Sequence, residues 1–318
     1  MINSLLGRRN KTIGINKITN CDGVTVTEPE SIANCFNDYF SNIARNLKIK
    51  NGPQQNTGTD SYQQFLKFPV SRSIYLNRVD EGEVYKTIQS FKNKSTRDTK
   101  IEALKIANTS FVFTRTLAMI INMSFQQGVF PEQMKTAKVV PIHKEGSKTD
   151  VGNYRPISLL TSFSKIYEKL MHCRILKFLD SNNSLYEMQY GFRPGRSCEH
   201  ALLNAQNILL ESLSKRRISL LLLIDFSKAF DMVEHSTLLK KLEHYGIRGL
   251  ALKWMQSYLS NRKQFVSING SCSTTKTMEF GVPQGSILGP LLFIIYINDI
   301  PETACFAKFI LYTLMMPI

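Results

Sequence analysis

The chain is poor in acidic residues: 25 Asp and Glu stand against 40 Lys and Arg, a formal net charge of +15 over 318 residues. Such an imbalance calls for a polyanionic partner, and nucleic acid is the commonest one. No C-x-x-C pair occurs among Cys21, Cys35, Cys173, Cys198, Cys272 and Cys305. That excludes a small stapled fold and a zinc ribbon, and it points to thiols in a reducing compartment. Long hydrophobic runs are missing too. The longest apolar stretch, 287–300, is interrupted by Pro290 and Asn298 and is too short to span a bilayer. Residues 1–9 lack the apolar core of a signal peptide. An intracellular protein is therefore expected, cytoplasmic or nuclear, with no membrane partner. No repeats are found. An apolar share of 43% with 20% charged residues is ordinary globular composition, for one large or two modest units.

Residues 1–27 are polar and turn-rich. Thr27-Glu28-Pro29-Glu30 reads as a capping box with proline in the first turn. Ile32, Phe36, Phe40, Ile43 and Leu47 then recur at helical spacing, predicting an amphipathic helix over 28–48. The Gly/Pro/Gln/Asn-rich stretch 49–64 reads as a linker, so 1–65 is expected to form an N-terminal arm and 66–318 the main unit. Asp80-x-x-Glu83 opens a second helix carrying Val84, Ile88 and Phe91. The stretch 101–126 reads as one buried helical segment. Lys138–His143 reads as a short strand, and helices are predicted at 161–180, 199–214, 235–245 and 248–260. Trp254, alone of its kind, falls on the last of these and is expected in the core. Between the helices, Ile218–Ile224 fits a strand buried on both faces. Asn269-Gly270 supplies the positive φ of a type I′ hairpin turn after Phe265. Helices mixed with antiparallel strands make the expected class α+β.

Four segments carry chemistry. The apolar run delivers Asp225 at its end, within Leu223–Asp231 (LIDFSKAFD), where a carboxylate on a rigid element suits Mg2+. Alone, that aspartate is as well explained as a helix cap. In an extended strand Asp231 would lie roughly 20 Å further on. Ions of a two-metal pair sit about 3.5–4 Å apart, so a partner carboxylate must come from elsewhere. Asn153–Leu160 (NYRPISLL) follows a cationic loop with Lys144 and Lys148. Gln189–Cys198 (QYGFRPGRSC) and Gly281–Pro290 (GVPQGSILGP) combine glycines with arginines or a helix start. Glycine permits close backbone approach, and arginine and helix N-termini grip phosphates. Between Gln133 and Lys177 nine Lys and Arg face three acids. Lys165, Lys169 and His172 share one helical stripe, which alone reads as a solvated face and becomes a nucleic-acid contact where the segment meets a polyanion. His143, His200, His235 and His244 have no partners at ligand spacing and are assigned no chemistry.

In this order the segments are specific. The chain resembles the reverse transcriptases of non-LTR (LINE-type, jockey-like) retrotransposons over about residues 20–312, with the distinctive segments in 130–300. The resemblance implies a right-hand fold of fingers, antiparallel palm and helical thumb. It implies RNA template, DNA primer and deoxynucleoside triphosphates as partners, and Mg2+ as cofactor. Asp225 matches the first metal-binding catalytic aspartate, and Phe230 the aromatic gate that crowds a ribose 2′-hydroxyl. Lys144 and Arg155 match the cations that hold the triphosphate. Gln284 and Gly285 match the motif lining the nascent base pair. Gln189, Phe192, Arg193, Arg196 and Ser197 match the segment that shapes the template path.

One departure is plain. The family's Tyr-x-Asp-Asp turn should follow Phe309–Tyr312, but the chain reads Tyr312-Thr313-Leu314-Met315-Met316-Pro317. Methionine has the single codon ATG, so xTG-ATG-ATG-CCN holds GAT-GAT-GCC in a shifted frame and would encode Asp-Asp-Ala. The expected polymerase is thus one whose second carboxylates, return strand and thumb are lost, with the last strand left as an unpaired edge. Such a product is expected not to polymerise. The alternatives are a non-catalytic remnant that binds RNA or primer–template, and an RNA-dependent RNA polymerase. Phe230 is the wrong residue type to read a 2′-hydroxyl for the last.

Overall fold

The computed structural model describes residues 15–20, 23–50, 61–66, 69–92, 96–219, 221 and 225–303. A short ribbon of β1 (Ile18–Thr19) and β2 (Thr25–Val26) leads into α1 (Pro29–Lys50). Proline does occupy the first turn, but the cap is Glu28 rather than the Thr27/Glu30 box. The Glu28 carboxylate accepts from the backbone N–H of Glu30 at 3.1 Å and of Ser31 at 2.6 Å, satisfying two donors that the helix leaves open.

The main sheet runs in the order β4-β3-β5-β6. β3 (Thr136–His143) and β4 (Tyr154–Leu159) pair antiparallel, in register from Lys138 opposite Leu159 to His143 opposite Tyr154. β5 (Lys263–Ile268) joins β3 in parallel, and β6 (Ser271–Cys272) and β7 (Lys276–Thr277) fold back on β5. The sheet is therefore mixed, not purely antiparallel. A long crossover through helices separates β3 from β5, and such a crossover is what parallel neighbours require. The β5–β6 hairpin turns at Asn269 (φ 50) and Gly270 (φ 87), as its sequence requires.

Two cores hold the chain. The smaller lies between α1 and one sheet face, where Ile32, Phe36, Phe40 and Ile43 bury against Val139, Tyr154, Val266 and Ile268. The period of 3.6 on the helix and of 2 on the strands aligns these residues on facing surfaces. The larger core joins α2 (Glu81–Gln89), α4 (Phe111–Gln127), α5 (Ser162–Ser181), α7 (His235–His244), α8 (Leu250–Leu259) and α9 (Leu288–Ile297). Asp80 caps α2 by accepting from Glu83 N at 2.8 Å. The other half of that box is used elsewhere, since both Glu83 oxygens accept from Arg174 (2.7 and 2.9 Å). Trp254 is fully buried, donates to Ser124 Oγ at 3.0 Å and stacks on Tyr258.

Two expectations are corrected. The segment 101–126 is two helices, α3 (Ile101–Ala107) and α4, bent by 108°. The break falls at Asn108-Thr109-Ser110, where Thr109 Oγ1 donates to Ile106 O at 2.8 Å and Asn108 donates to Tyr85 O on α2 at 3.1 Å. Nor is it buried all round, for Val112, Met119 and Met123 are exposed. The run 218–224 is not a strand buried on both faces over its described part. Ile218 and Leu221 are exposed and outside any ladder, since no described strand lies beside them to cover either face. The remaining helices are α6 (Cys198–Ser214), which buries only Ala201, and the short α10 (Ile300–Thr303). No single described helix is long and apolar enough to cross a membrane.

Candidate functional site

Three segments meet at one edge of the sheet. Residues 280–282 run against 230–234, with Gly281 N donating to Val233 O (2.7 Å) and Val282 N to Phe230 O (2.9 Å). A His235 ring nitrogen lies 2.7 Å from Gly281 O and secures the same turn. On the other side Ser158 N, on β4, donates to Gln284 O at 2.7 Å. Gly285 has φ +123, and a Cβ there would lie 2.5 Å from Ser158 O. Only glycine lets the loop approach β4 so closely.

This junction brings Gln284 to Asp231. Gln284 Nε2 lies 3.0 and 2.9 Å from the two Asp231 oxygens. Burial pushes the Asp231 carboxyl up to about 6, against the opposing pull of Gln284 and Lys228. One cation, Lys228, acts on the pair, and two others act on Lys228. Lys144 follows β3, with its N–H on Asn153 O at 2.9 Å, and Arg155 lies on β4 opposite Ile142. Lys228, in a left-handed conformation (φ 51), donates to Gly152 O at 3.3 Å. Burial lowers the Lys228 ammonium. Lys144 and Arg155 lower it further, while Asp231 and Asp150 oppose. The three cations therefore share one field, suited to a polyphosphate. Lys144 meanwhile pairs with Glu145 at 2.7 Å, and that contact holds the Glu145 carboxyl below its ordinary range.

Of the residues expected at the site, Gln284 and Gly285 meet β4 and Asp231, and Lys144 and Arg155 act on Lys228, which acts on Asp231. Phe230 lies beside them in the core, stacked on Phe293 (5.0 Å between centroids) and edge-on to Phe192 (5.9 Å). Phe192 is reached by a left-handed turn (φ 58), and buried Gln189 donates to Gly191 O at 3.0 Å. The arginines after it face away from Phe230: Arg193 donates to Tyr186 O (3.1 Å) and Asp180 (3.3 Å), and Arg196 donates to Glu187 O and covers the Tyr190 ring. Ser197 caps α6. Lys165 and Lys169 are half-buried on α5. Burial, with Lys169 adding, pushes His172 down to about 4, so the stripe carries two charges rather than three.

Sequence reasoning missed Lys228, although it sits inside the quoted LIDFSKAFD segment. It also missed Glu168, counted only as one acid among bases. Glu168 is fully buried on α5 and accepts from Ser164 Oγ (2.7 Å), Ile287 N (2.7 Å) and Leu288 N (3.2 Å). Its signal was an acid one turn after Ser164 on an otherwise apolar face.

Magnesium is implied by the resemblance, yet the described carboxylates do not fit a metal pair. Asp225 is exposed, and no three His, Cys, Asp or Glu side chains converge among the described residues. Asp231 is engaged by Gln284, and Asp299 by Lys241 Nζ at 2.5 Å in a buried ion pair. The matched Phe309–Tyr312 segment lies outside the described residues.

Residues 142–312 match the profile of the reverse transcriptase (RNA-dependent DNA polymerase) family. The chain is 30% identical over 292 residues to the probable RNA-directed DNA polymerase from transposon BS of Drosophila melanogaster, covering 88% of this chain and 30% of that protein. It is 33% identical over 241 residues to the RNA-directed DNA polymerase from mobile element jockey of the same organism, covering 75% and 26%. The corresponding protein of transposon X-element is 32% identical over 193 residues, covering 58% and 20%. The chain thus spans less than a third of the length of these curated relatives.

Proposed function

The chain belongs to the reverse transcriptase family, and on that footing we propose that it is the fingers and part of the palm of a non-LTR retrotransposon RNA-directed DNA polymerase. Its ligands are an RNA template, a DNA primer and deoxynucleoside triphosphates. The observation that carries this reading is the link from Lys144 and Arg155, which act on Lys228, through Lys228 acting on Asp231, to Gln284, which holds Asp231 from a loop packed closely on β4. The +15 charge supports it, since cations that replace counterions on phosphates drive binding without regard to sequence. Phe230, held between Phe293 and Phe192, is a ring too well packed to yield to a 2′-hydroxyl. Gln189, Phe192, Arg193, Arg196 and Ser197 border the template, with Lys165 and Lys169 adding charge.

Nucleotidyl transfer in this family uses two magnesium ions. The described carboxylates offer Asp225 alone, and Leu314 and Met315 stand where Tyr-x-Asp-Asp has its aspartates. As written, the chain holds nucleotide and primer–template without joining them. A shifted reading frame accounts for the lost pair, and a gene sequence lacking GAT-GAT across codons 314–316 would refute that origin.

Binding of the purified chain to poly(rA)/oligo(dT) in rising salt tests the proposal. Affinity is expected to fall linearly in log–log form with a slope of several units. Binding indifferent to salt would overturn it.

A further inference from the structure

Gln284 ends in an amide whose oxygen and nitrogen have opposite hydrogen-bonding character, so which one faces a ligand decides what that ligand must offer. The structure settles the orientation through Asp231. An ionised carboxylate only accepts, and both of its oxygens lie within 3.0 Å of the same terminal atom of Gln284. That atom must be the nitrogen, because an amide oxygen there would face two acceptors. The outward atom is then Oε1.

Neither partner has slack. The Gln284 backbone is pinned to β4 by Ser158 N at 2.7 Å, with Gly285 pressed against the same strand. Asp231 N donates to Lys228 O at 2.9 Å, and the flanking Phe230 and Val233 carbonyls are taken by Val282 and Gly281. With both backbones fixed, the side-chain torsions of Gln284 are the freedom that remains, and the two bonds to the carboxylate restrain them, the terminal amide rotation included. Lys228 faces the same carboxylate and favours its ionised form.

We propose that Asp231 is a positioning residue that fixes the Gln284 amide with Nε2 inward and Oε1 outward, so that the pocket presents an acceptor to a donor group of the bound nucleotide. The second clause rests on Gln284 belonging to the nucleotide site. The first does not. Asp231 is thereby given a task that neither a metal-ligand nor a helix-cap role supplies.

Two readouts test it separately. In the chain labelled with 15N-glutamine, the Gln284 side-chain N–H protons should exchange about tenfold or more slowly than those of exposed Gln256, as a bond to a charged acceptor implies. That protection should fall in Asp231→Asn, which keeps one neutral acceptor, and vanish in Asp231→Ala. Exchange of Gln284 as fast as Gln256 in the unmodified chain would overturn the proposal without any variant. The second readout is the Kd of Mg·dTTP on the complex with poly(rA)/oligo(dT). Asp231→Asn should raise it about fivefold, a hydrogen bond's worth, and should change it less than about twofold in a Gln284→Ala background. An undiminished effect in that background would show that Asp231 does not act through Gln284, and would overturn the proposal. Protection lost in Asp231→Ala together with unaltered dTTP binding by Gln284→Ala would refute the nucleotide role of Gln284 while upholding the hold on its amide. Thermal unfolding of each variant confirms that it is folded, and Asp231→Ser replaces Asp231→Asn if it is not.

Discussion

The Glu168 carboxylate, in the middle of α5, accepts from the backbone N–H of Ile287 at 2.7 Å, 119 residues away. The first turn of α9 is buried, so its open N–H groups have no water to bond, and Glu168 supplies the acceptor. Burial raises the Glu168 pKa, while Ser164, Arg262 and the two N–H groups oppose that rise. The same turn begins just after Gly285. A side chain on α5 thus fixes where the Gln284 loop ends.

Glu168→Leu should therefore cost about 3–5 kcal/mol, the usual result of orphaning partners of a buried charge. Glu168→Gln, which keeps one acceptor, should cost less. Urea denaturation of both variants checks the order. A leucine variant as stable as the parent would show that the turn needs no acceptor.

Gly285→Ala should cost about 2–4 kcal/mol, because the added methyl meets Ser158 O in a strained backbone region. Gly195 offers the control. It also has positive φ (+72) but open space around it, so Gly195→Ala should cost only about 1 kcal/mol of backbone strain. Similar losses at both positions would deny the close approach to β4.

His172 and Asp231 should tilt the pH profile of stability in opposite directions. His172 falls from 6.5 to about 4, so the unfolded chain binds more protons across that window. Its contribution is present above pH 6.5 and lost toward pH 4. Asp231 rises from 3.8 to about 6, so the folded chain binds more protons there, and its contribution is lost as pH rises through about 6. At 1.36 kcal/mol per unit, each effect is at most about 3–3.5 kcal/mol. Denaturant midpoints between pH 4 and 7 should lose slope of opposite sign in His172→Leu and Asp231→Asn. Changes of the same sign would contradict both assignments.

Arg155→Ala and Lys144→Ala should each weaken dTTP about tenfold, the scale of one charge-assisted hydrogen bond. Lys86→Ala removes an exposed cation on α2 and should leave dTTP affinity unchanged. Equal losses in all three variants would reduce the pocket to general surface charge.

Helices were legible where one face is apolar and a cap is local, as at Ile32–Ile43 or Asp80. The Asn269-Gly270 turn was legible because its φ angles demand those residues. Contacts that join distant segments were not. Nothing in the spacing of Gln284, Asp231 and Ser158 tells that they meet, nor that Glu168 reaches Ile287. Ile218 and Leu221 misled for a related reason: apolar composition says that a residue should be covered, but not what covers it. Parallel pairing of β3 with β5 was likewise invisible, since it depends on the path of the intervening helices. Motif order, not local pattern, is what set Lys144, Arg155 and Gln284 into one expected site.

The central claim is that this chain holds the ligands of a polymerase but lacks the carboxylates to join them. Incorporation of dTTP on poly(rA)/oligo(dT) with Mg2+ tests it directly. The purified 318-residue chain should bind this primer–template and add no nucleotide. Incorporation that disappears in Asp225→Ala would contradict the claim.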